Sequence, residues 1–356
     1  MSLDKVRNKI DSIDAKVLAL LNERAGASQQ IGQLKQKEGQ GIYAPHRERQ
    51  VLDRLKSLNK GPMTPDAIEA IYREIMSFSI SLEKKVKIAY LGPPVTYTHQ
   101  AAQKKFGASV DYEACTTITD VFSEVGQGRA DYGVVPVENS TEGAVNHTLD
   151  MFVDSDLKIY GEIFLPIHHY LLSRSPLKDI VQVYSKDQVF GQCRLWIEAH
   201  LRNVDLLPTN STAEAAQIVA NDSNQAGIAC IASKIAADVY GLKVLASSIE
   251  DNSNNTTRFL IISRTEAKPT CSDKTSIVLE IKDKAGALHD ILVPFKKLKI
   301  NMTKIESRPS KKKVWSYFFF VDFQGHYDDP KVKKAIAALE KHCTFLKVLG
   351  SYPKAE

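Results

Sequence analysis

The residues best able to do chemistry are polar groups that follow apolar runs or interrupt apolar helix faces. One stretch is Asp131-Tyr132-Gly133-Val134-Val135-Pro136-Val137-Glu138-Asn139-Ser140-Thr141-Glu142-Gly143, where a β-branched run opens into acids, an amide and two hydroxyls. A buried strand that delivers its end to a polar loop is how open α/β sheets build ligand sites. Two further loops share this character. Tyr184-Ser185-Lys186-Asp187-Gln188 continues to Gly191-Gln192-Cys193-Arg194 at what reads as a helix N-terminus. Asp251-Asn252-Ser253-Asn254-Asn255-Thr256-Thr257-Arg258-Phe259 sets a polar run before a strand, although Asn, Ser and Asp also favour plain turns.

A second group lies on helices. Leu3, Val6, Ile10, Ile13, Val17, Leu20, Arg24, Ala27, Ile31 and Leu34 keep a heptad seam in which Arg24 alone is charged. An arginine on a seam is costly unless it meets an anion. Lys35 comes eleven residues later, and eleven steps of about 100° return to within ~20° of the same face. Arg7 lies ~100° around the helix, placed to reach a neighbouring protomer's site. A second helix opens with Arg47-Glu48-Arg49, and a third carries Ser79 on its seam (Ile68, Ile71, Ile75, Ser79, Leu82) with Glu83 one turn later. Polar groups from three helices therefore converge in a bundle core.

These groups need elements to hold them. A helix of roughly 34 residues from Leu3 is about 50 Å long. The following helices, from about His46 to Leu58 and from Pro65 (Thr64 as N-cap) to about Lys85, cannot cover it. The uncovered seam predicts a partner chain, hence a homodimer or a higher homo-oligomer. From Val86 to about Ser263 strand-like and helical stretches alternate, the signature of an α/β domain with room for two lobes and a cleft. Strands are expected at Tyr132–Val137, Ile167–Leu172, Val181–Tyr184, Ala226–Cys230 and Phe259–Ile262, and a helix from about Tyr97 to Phe106. The pair His168-His169 would then face opposite ways and serve structure. Thr265 to Lys274 is a polar linker with a proline. Beyond it the order βαββαβ is that of a ferredoxin-like sandwich, with Ser276–Ile281, about Ile300–Glu306, Trp315–Phe323 and Phe345–Leu349 as strands and Lys311-Lys312-Lys313 as a solvated hairpin turn.

Bulk properties narrow the class. At 356 residues the chain calls for two or three domains. Five scattered cysteines without a CxxC pair argue against a zinc site or a disulfide framework, and no metal is expected. The formal charge of +5 is modest and not grouped into one basic face; it is weak evidence for nucleic acid and agrees equally well with small anionic substrates, and no nucleic-acid partner is expected. No apolar run is long enough for a transmembrane helix and the N-terminus lacks an apolar signal core, so no membrane association is expected and the cytoplasm is the expected location.

Three stretches resemble known families. Val6-Arg7-Asn8-Lys9-Ile10-Asp11, Asn22-Glu23-Arg24, Gly32-Gln33-Leu34-Lys35, Arg47-Glu48-Arg49 and Ser79-Ile80-Ser81-Leu82-Glu83 resemble the all-helical chorismate mutases. Tyr90-Leu91-Gly92-Pro93, Thr96-Tyr97-Thr98, Val135-Pro136-Val137-Glu138-Asn139-Ser140 and Asn255-Thr256-Thr257-Arg258-Phe259 resemble prephenate dehydratases. Lys284-Ala285-Gly286-Ala287-Leu288-His289 with Asn301 and Glu306-Ser307-Arg308-Pro309 is similar to phenylalanine-binding ACT domains.

The resemblance implies a multidomain chain. Residues 1–85 would be a helical bundle of the dimeric mutase type. Residues 86–264 would form a two-lobed α/β dehydratase domain like the periplasmic binding proteins, and residues 275–353 a ferredoxin-like ACT domain. It implies rearrangement of chorismate to prephenate, then decarboxylation and dehydration of prephenate to phenylpyruvate, with feedback inhibition by L-phenylalanine and without a cofactor. In the mutase, Arg7, Arg24 and Arg47 would hold carboxylates, Lys35 would face the ether oxygen, Glu48 would orient the hydroxyl, and Ser79 and Glu83 would complete the wall. Some relatives carry glutamine at Glu83; a glutamate donates only when protonated. In the dehydratase, Thr257 would donate to the leaving hydroxyl, with Thr96, Asn139, Ser140, Thr141, Ser185, Gln192, Asn255 and Arg258 around the substrate. Relatives often carry His-Pro where Lys186-Asp187 stand. Gly286, Ala287, Leu288, Asn301, Glu306, Ser307 and Arg308 would bind phenylalanine, the glycine letting backbone amides approach its carboxylate. Rival readings are an arogenate-preferring dehydratase, a bundle reduced to dimerisation, and a ligand-binding sensor without catalysis.

Overall fold

The computed structural model describes residues 2–37, 43–222, 227–282, 284–310 and 316–355. Lys311-Lys312-Lys313, Ala226 and Trp315 lie outside the described residues. The chain forms two compact units, Met1–Lys87 with Gln103–Tyr112, and Ile88–Ala102 with Glu113–Glu356.

The first unit is built on α1 (Leu3–Lys37), α2 (Pro45–Leu58) and α3 (Pro65–Glu83). Thr64 caps α3 by accepting from the Ala67 amide, and Pro65 follows at the first helical position, where its missing N–H costs nothing. The apolar seam of α1 stays open within this chain: Leu20 is 64% and Leu34 58% exposed. Helix α1 comes close to α3 at Gly32, where an added Cβ would stand 2.8 Å from Glu83 Cγ. The glycine brings the root of Glu83 against the α1 backbone.

After α3 the chain runs through β1 (Lys87–Leu91), α4 (Tyr97–Phe106) and β2 (Asp111–Cys115), whose residues are divided between the two units, and then, within the second, α5 (Ile118–Gly126), β3 (Tyr132–Asn139), β4 (Gly143–Ala144), α6 (Asn146–Asp154) and β5 (Lys158–Pro166). A second lobe follows: β6 (Tyr170–Ser173), β7 (Gln182–Lys186), α7 (Asp187–Gln192), α8 (Arg194–His200), β8 (Asp205–Thr209), α9 (Thr212–Asn221), β9 (Ile228–Ala232), α10 (Lys234–Tyr240) and β10 (Lys243–Ala246). The chain then returns to the first lobe as β11 (Thr256–Ser263). The first sheet has the order β2-β1-β3-β11-β5, with β4 on β3; the second has the order β10-β6-β9-β7-β8. Helices cover both faces of the second sheet, α9 and α10 on one, α7 and α8 on the other, and its inner strands are accordingly apolar.

Two segments cross between the lobes, Ile167-His168-His169 and residues 247–255. They are latched together. The Ile167 amide donates to the Asn255 carbonyl (2.8 Å), and the Ile249 amide donates to the His169 carbonyl (3.0 Å). The expected strand at Ile167 therefore begins only at Tyr170, because the first three residues serve as a crossing.

The C-terminal part is β12 (Asp273–Ile281), α11 (Ala287–Leu298), β13 (Met302–Pro309), β14 (Tyr317–Gln324), α12 (Pro330–Glu340) and β15 (Cys343–Pro353), the βαββαβ order with a sheet ordered β13-β14-β12-β15. One face of this sheet packs on α11 and α12 through Ile291, Phe295, Val332, Ile336 and Leu339. The other face joins the core of the first lobe, with Val278, Phe318, Phe320 and Leu349 against Phe152, Leu157 and Ile159. At Gly350 an added Cβ would lie 2.3 Å from the Ile159 carbonyl oxygen, so β15 rests on the backbone of β5.

Candidate active sites

In the helical unit the Arg24 guanidinium donates to Ser79 Oγ (2.5 Å), and that hydroxyl donates to the Ile75 carbonyl (2.8 Å). The Lys35 ammonium lies 3.1 Å from Glu83 Oε2, with the Glu83 side chain only 7% exposed. Four of the seven expected residues thus meet between α1 and α3. Glu48 accepts from the Tyr43 hydroxyl (3.0 Å) and from Lys105 (2.8 Å). Arg47 is exposed and donates to Gln50; Arg7 is exposed beside Asp4. These two do not join the Arg24–Ser79 group within one chain.

The α/β unit holds a cleft of about 1070 Å³, lined among others by Thr96, Tyr97, Asn139, Glu142, His169, Lys186, Gln188, Gln192, Asn255, Thr257 and Phe259. Strands β3 and β11 pair so that Asn139 faces Thr257 and Glu138 faces Arg258. Asn139 Nδ2 donates to Thr257 Oγ1 and to Asn255 Oδ1, both at 2.8 Å. Asn139 Oδ1 accepts from the Thr141 amide (3.0 Å), the Thr141 hydroxyl (2.6 Å) and the Glu142 amide (3.1 Å). Three donors on one oxygen fix the amide's orientation. The nitrogen must face Thr257, which occupies a lone pair there and leaves the Thr257 proton free to point into the cleft.

The second lobe meets this loop through Gln192. Its Nε2 lies 3.1 Å from Glu142 Oε1, and its Oε1 is 2.9 Å from His169 Nε2 and 3.4 Å from Asn255 Nδ2. A flipped amide would set two oxygens against each other at Glu142. Gln192 Oε1 therefore accepts and His169 carries its proton on Nε2, while the Tyr97 hydroxyl, which donates to the His168 carbonyl (2.8 Å), lies 3.1 Å from His169 Nδ1. Burial lowers the pKa of His169 and raises that of Tyr97, so both are neutral at pH 7. Glu250 lies 2.7 Å from His168 Nδ1 and accepts the His169 amide at 2.9 Å. Desolvation would raise the pKa of Glu250, but these partners outweigh it and hold the carboxyl below its usual range.

Three expected residues sit elsewhere than a substrate would need. Ser185 is fully buried and donates to the Ile231 carbonyl (2.7 Å). It lies one residue before the cleft wall, on the inward face of β7. Arg258 follows Thr257 on a strand, so it points to the opposite face, away from the cleft, into a buried cluster with Glu162 and Asp322. Arg308 places Nη2 3.0 Å from both carboxylate oxygens of Asp150 on α6, which commits it to the dehydratase lobe. Ser140 donates to the Asn254 carbonyl and ties the two loops together. In the ACT-like part, Gly286 has φ +78° at the N-cap of α11, a left-handed conformation that suits glycine; Ala287 is buried and Leu288 half-exposed. Asn301 accepts the Gln324 amide through its carbonyl, and along β13 Glu306 and Arg308 alternate with exposed Ser307.

Sequence reasoning did not place Tyr97 and His169 on the cleft wall, did not single out Glu142 within the first polar loop, and did not find Glu250 behind the two histidines. His168 and His169 lie outside a strand, so alternation does not set their directions; His168 pairs with Glu250, and His169 reaches Gln192 and lines the cleft. Glu250 carries a signal only by standing just before the third polar loop.

The chain matches the chorismate mutase type II family over residues 6–84, prephenate dehydratase over 88–267 and the ACT domain over 275–341. It is 51% identical to a bifunctional chorismate mutase/prephenate dehydratase of Aquifex aeolicus, covering 99% of this chain and 98% of that one. It is 45% identical to the protein of the same description from Pseudomonas aeruginosa, with the same coverage. Among solved structures it resembles a prephenate dehydratase from Arthrobacter aurescens in complex with L-Phe, with a TM-score of 0.70, 36% identity, and coverage of 76% of this chain and 90% of that one.

Proposed function

The chain belongs to the bifunctional chorismate mutase/prephenate dehydratase family, and from that premise we propose how its residues divide the two reactions. The helical unit rearranges chorismate to prephenate. The reaction is intramolecular, so the protein has to hold a dianion in its compact shape and stabilise charge on the breaking ether oxygen. Arg24 takes a carboxylate with Ser79 as its support. Lys35 donates to the ether oxygen, with Glu83 orienting its ammonium. Arg47 and Glu48 open α2 toward the substrate, and Arg7 serves the site of a second protomer. The exposed seam of α1 is the surface that a second copy covers, giving a homodimer.

The α/β unit converts prephenate to phenylpyruvate. The observation that carries this reading is the locked Asn139 amide, which aims the Thr257 hydroxyl into the cleft. As the ring carboxylate leaves as carbon dioxide, its bonding electrons enter the ring. The ring hydroxyl departs from the opposite carbon as water, taking the proton that Thr257 offers, and the Thr257 oxygen takes a proton back from solvent water, so that the net release is hydroxide. Among the cleft-lining residues Lys186 is the one lysine or arginine. It pairs with the pyruvyl carboxylate, because a cation on the ring carboxylate would hold back the group that must leave. Thr96, Thr141, Gln192 and Asn255 complete the wall. L-Phenylalanine binds the ACT domain and lowers dehydratase activity by preferring a less competent state. No helix of the described residues is long and apolar enough to cross a membrane, which agrees with a cytoplasmic enzyme.

The test feeds chorismate to the purified protein and follows prephenate and phenylpyruvate, with and without L-phenylalanine. Both products should form in turn, the second suppressed by L-phenylalanine and abolished in Thr257→Val. Stoichiometric binding of prephenate without phenylpyruvate would reduce the α/β unit to a sensor. Faster turnover of arogenate would reassign the substrate.

A further inference from the structure

Behind the catalytic strand pair lies a buried ionic network whose members come from both the dehydratase lobe and the ACT domain. Arg258 Nε donates to Glu162 Oε2 (2.8 Å), Nη1 to Asp322 Oδ2 (2.6 Å) and Nη2 to the Tyr352 hydroxyl (2.9 Å). Tyr352 and Ser276 hydroxyls are 2.6 Å apart, and Ser276 donates to Asp322 Oδ1 (2.5 Å). Arg258 donates along two arms that meet at Asp322, one directly and one through Tyr352 and then Ser276, so the four groups form a closed ring. Lys274 donates to both oxygens of Glu162, at 3.0 and 2.8 Å. Lys304 Nζ lies 2.8 Å from Glu138 Oε2 as an ion pair off the angle of a hydrogen bond, and Glu138 is 3.9 Å from Arg258. Arg258, Lys274 and Lys304 balance Glu138, Glu162 and Asp322. Each of the strands β12, β13, β14 and β15 contributes a member.

The network touches the active site only through the backbone. Thr257 and Asn139 face the cleft; their chain neighbours Arg258 and Glu138 face the ACT domain. An apolar contact of similar volume would hold two domains together at least as well, because buried charges bring a desolvation cost that their attraction barely repays. What the charges add is registry: a planar guanidinium with three fixed acceptors permits one position of β11 against the ACT sheet.

We propose that Arg258 is a positioning residue, through which the ACT domain sets the placement of Thr257 against Asn139 and by which L-phenylalanine acts on the cleft. This rests on the reading of Thr257 as proton donor. The arrangement explains why the arginine beside the donor is turned away from the substrate. A shift of the ACT sheet relative to the lobe pulls Arg258, and the strand carries Thr257 with it.

The test uses the full-length protein with Asp322→Asn and Lys304→Met, neither of which lines the cleft, and Arg258→Lys, which keeps charge and loses the planar fork. Dehydratase kcat and KM, mutase activity, calorimetric L-phenylalanine binding and inhibition are measured on each. Asp322→Asn and Arg258→Lys should lower dehydratase kcat about tenfold or more, within the ~10²-fold that a 1 Å misplacement can cost, with KM and mutase activity changed less than about threefold. Both should still bind L-phenylalanine yet respond to it less than about twofold. Where Asp322→Asn does not fold, Lys304→Met at the margin of the network decides by the loss of the L-phenylalanine response. A wild-type kcat, a rise in KM alone, or a full inhibitory response in the deciding variants overturns the proposal. Thr257→Val separates the two levels: if that variant stays active, the reading of the site fails, whereas an inactive Thr257→Val beside wild-type Asp322→Asn sinks the coupling alone.

Discussion

Gly32→Ala should cost the mutase far more than it costs the fold. An alanine Cβ at this position would lie 2.8 Å from Glu83 Cγ, 2.9 Å from its Cβ and 3.2 Å from its Cα. Ordinary carbon contacts are about 3.5–4.0 Å, so α1 and α3 must part by roughly 0.5–1 Å. The obstacle is the root of Glu83 and cannot swing aside as a chain end would. Alanine gains about 0.5–1 kcal/mol over glycine inside a helix, and overpacking costs about 1–3 kcal/mol. The net is a loss of zero to about 2.5 kcal/mol, while the Lys35–Glu83 and Arg24–Ser79 contacts move apart. Mutase kcat/KM should fall at least about tenfold, given the ~10²-fold sensitivity of aligned reactions to 1 Å. Gly26→Ala is the matched control: it lies on the same helix with nothing within 4 Å of the added Cβ. It should stabilise by about 0.5–1 kcal/mol and leave the mutase untouched. Chorismate disappearance, prephenate turnover in the same preparation and urea midpoints give all three readings. If Gly32→Ala matches Gly26→Ala in both stability and mutase rate, the close approach does not shape the site.

Other consequences are checked by simpler measurements. Lys186→Met should raise the dehydratase KM for prephenate at least tenfold with a smaller effect on kcat; an unchanged KM would mean the cleft needs no cation. Arg24→Ala should remove mutase activity and spare the dehydratase, and a bundle that serves only dimerisation would lose nothing. Glu83→Gln compared with wild type across alkaline pH tests a donor role for Glu83, which is excluded if the two profiles are flat and equal. Burial holds the pKa of His169 below its usual 6.5, so the unfolded chain takes up this proton at a higher pH than the native one. Its contribution is complete above pH 6.5 and is lost as pH falls below that value, which His169→Asn should show as a flatter dependence of the urea midpoint on acidification.

Much of the architecture was legible because it depends on local pattern. The α1 seam, the Thr64 cap and the βαββαβ order are periodicities and caps that need no distant partner. The misplacements of Arg258 and Ser185 have different causes. Asn252 to Arg258 reads as a loop because its residues favour turns, yet Thr256, Thr257 and Arg258 lie in an inner strand of a sheet, with Thr257 and Arg258 paired on both sides, to β3 and β5. Once they are in a strand, alternation turns Arg258 away from Thr257 and toward the ACT domain. Ser185 failed for the opposite reason. A small hydroxyl in a buried strand can be satisfied by a neighbouring carbonyl, and the Ile231 carbonyl does so. No local pattern distinguishes that from a substrate contact.

The two sites also answer different electrostatic demands, and their residue types follow. Chorismate rearrangement keeps both carboxylates and builds negative charge on an ether oxygen, so cations help throughout; the helical unit sets Arg24 and Lys35 against hydroxyl and carboxylate partners that fix them. Loss of carbon dioxide from prephenate consumes a carboxylate, and every cation near it stabilises the reactant more than the transition state. A cleft of amides and hydroxyls with one lysine on its wall fits that demand. The arginine next in sequence to Thr257, the proposed proton donor, would have been harmful there. Its rotation to the back of the sheet removes a ground-state trap from the site and gives the C-terminal domain a rigid hold on the strand that carries the donor.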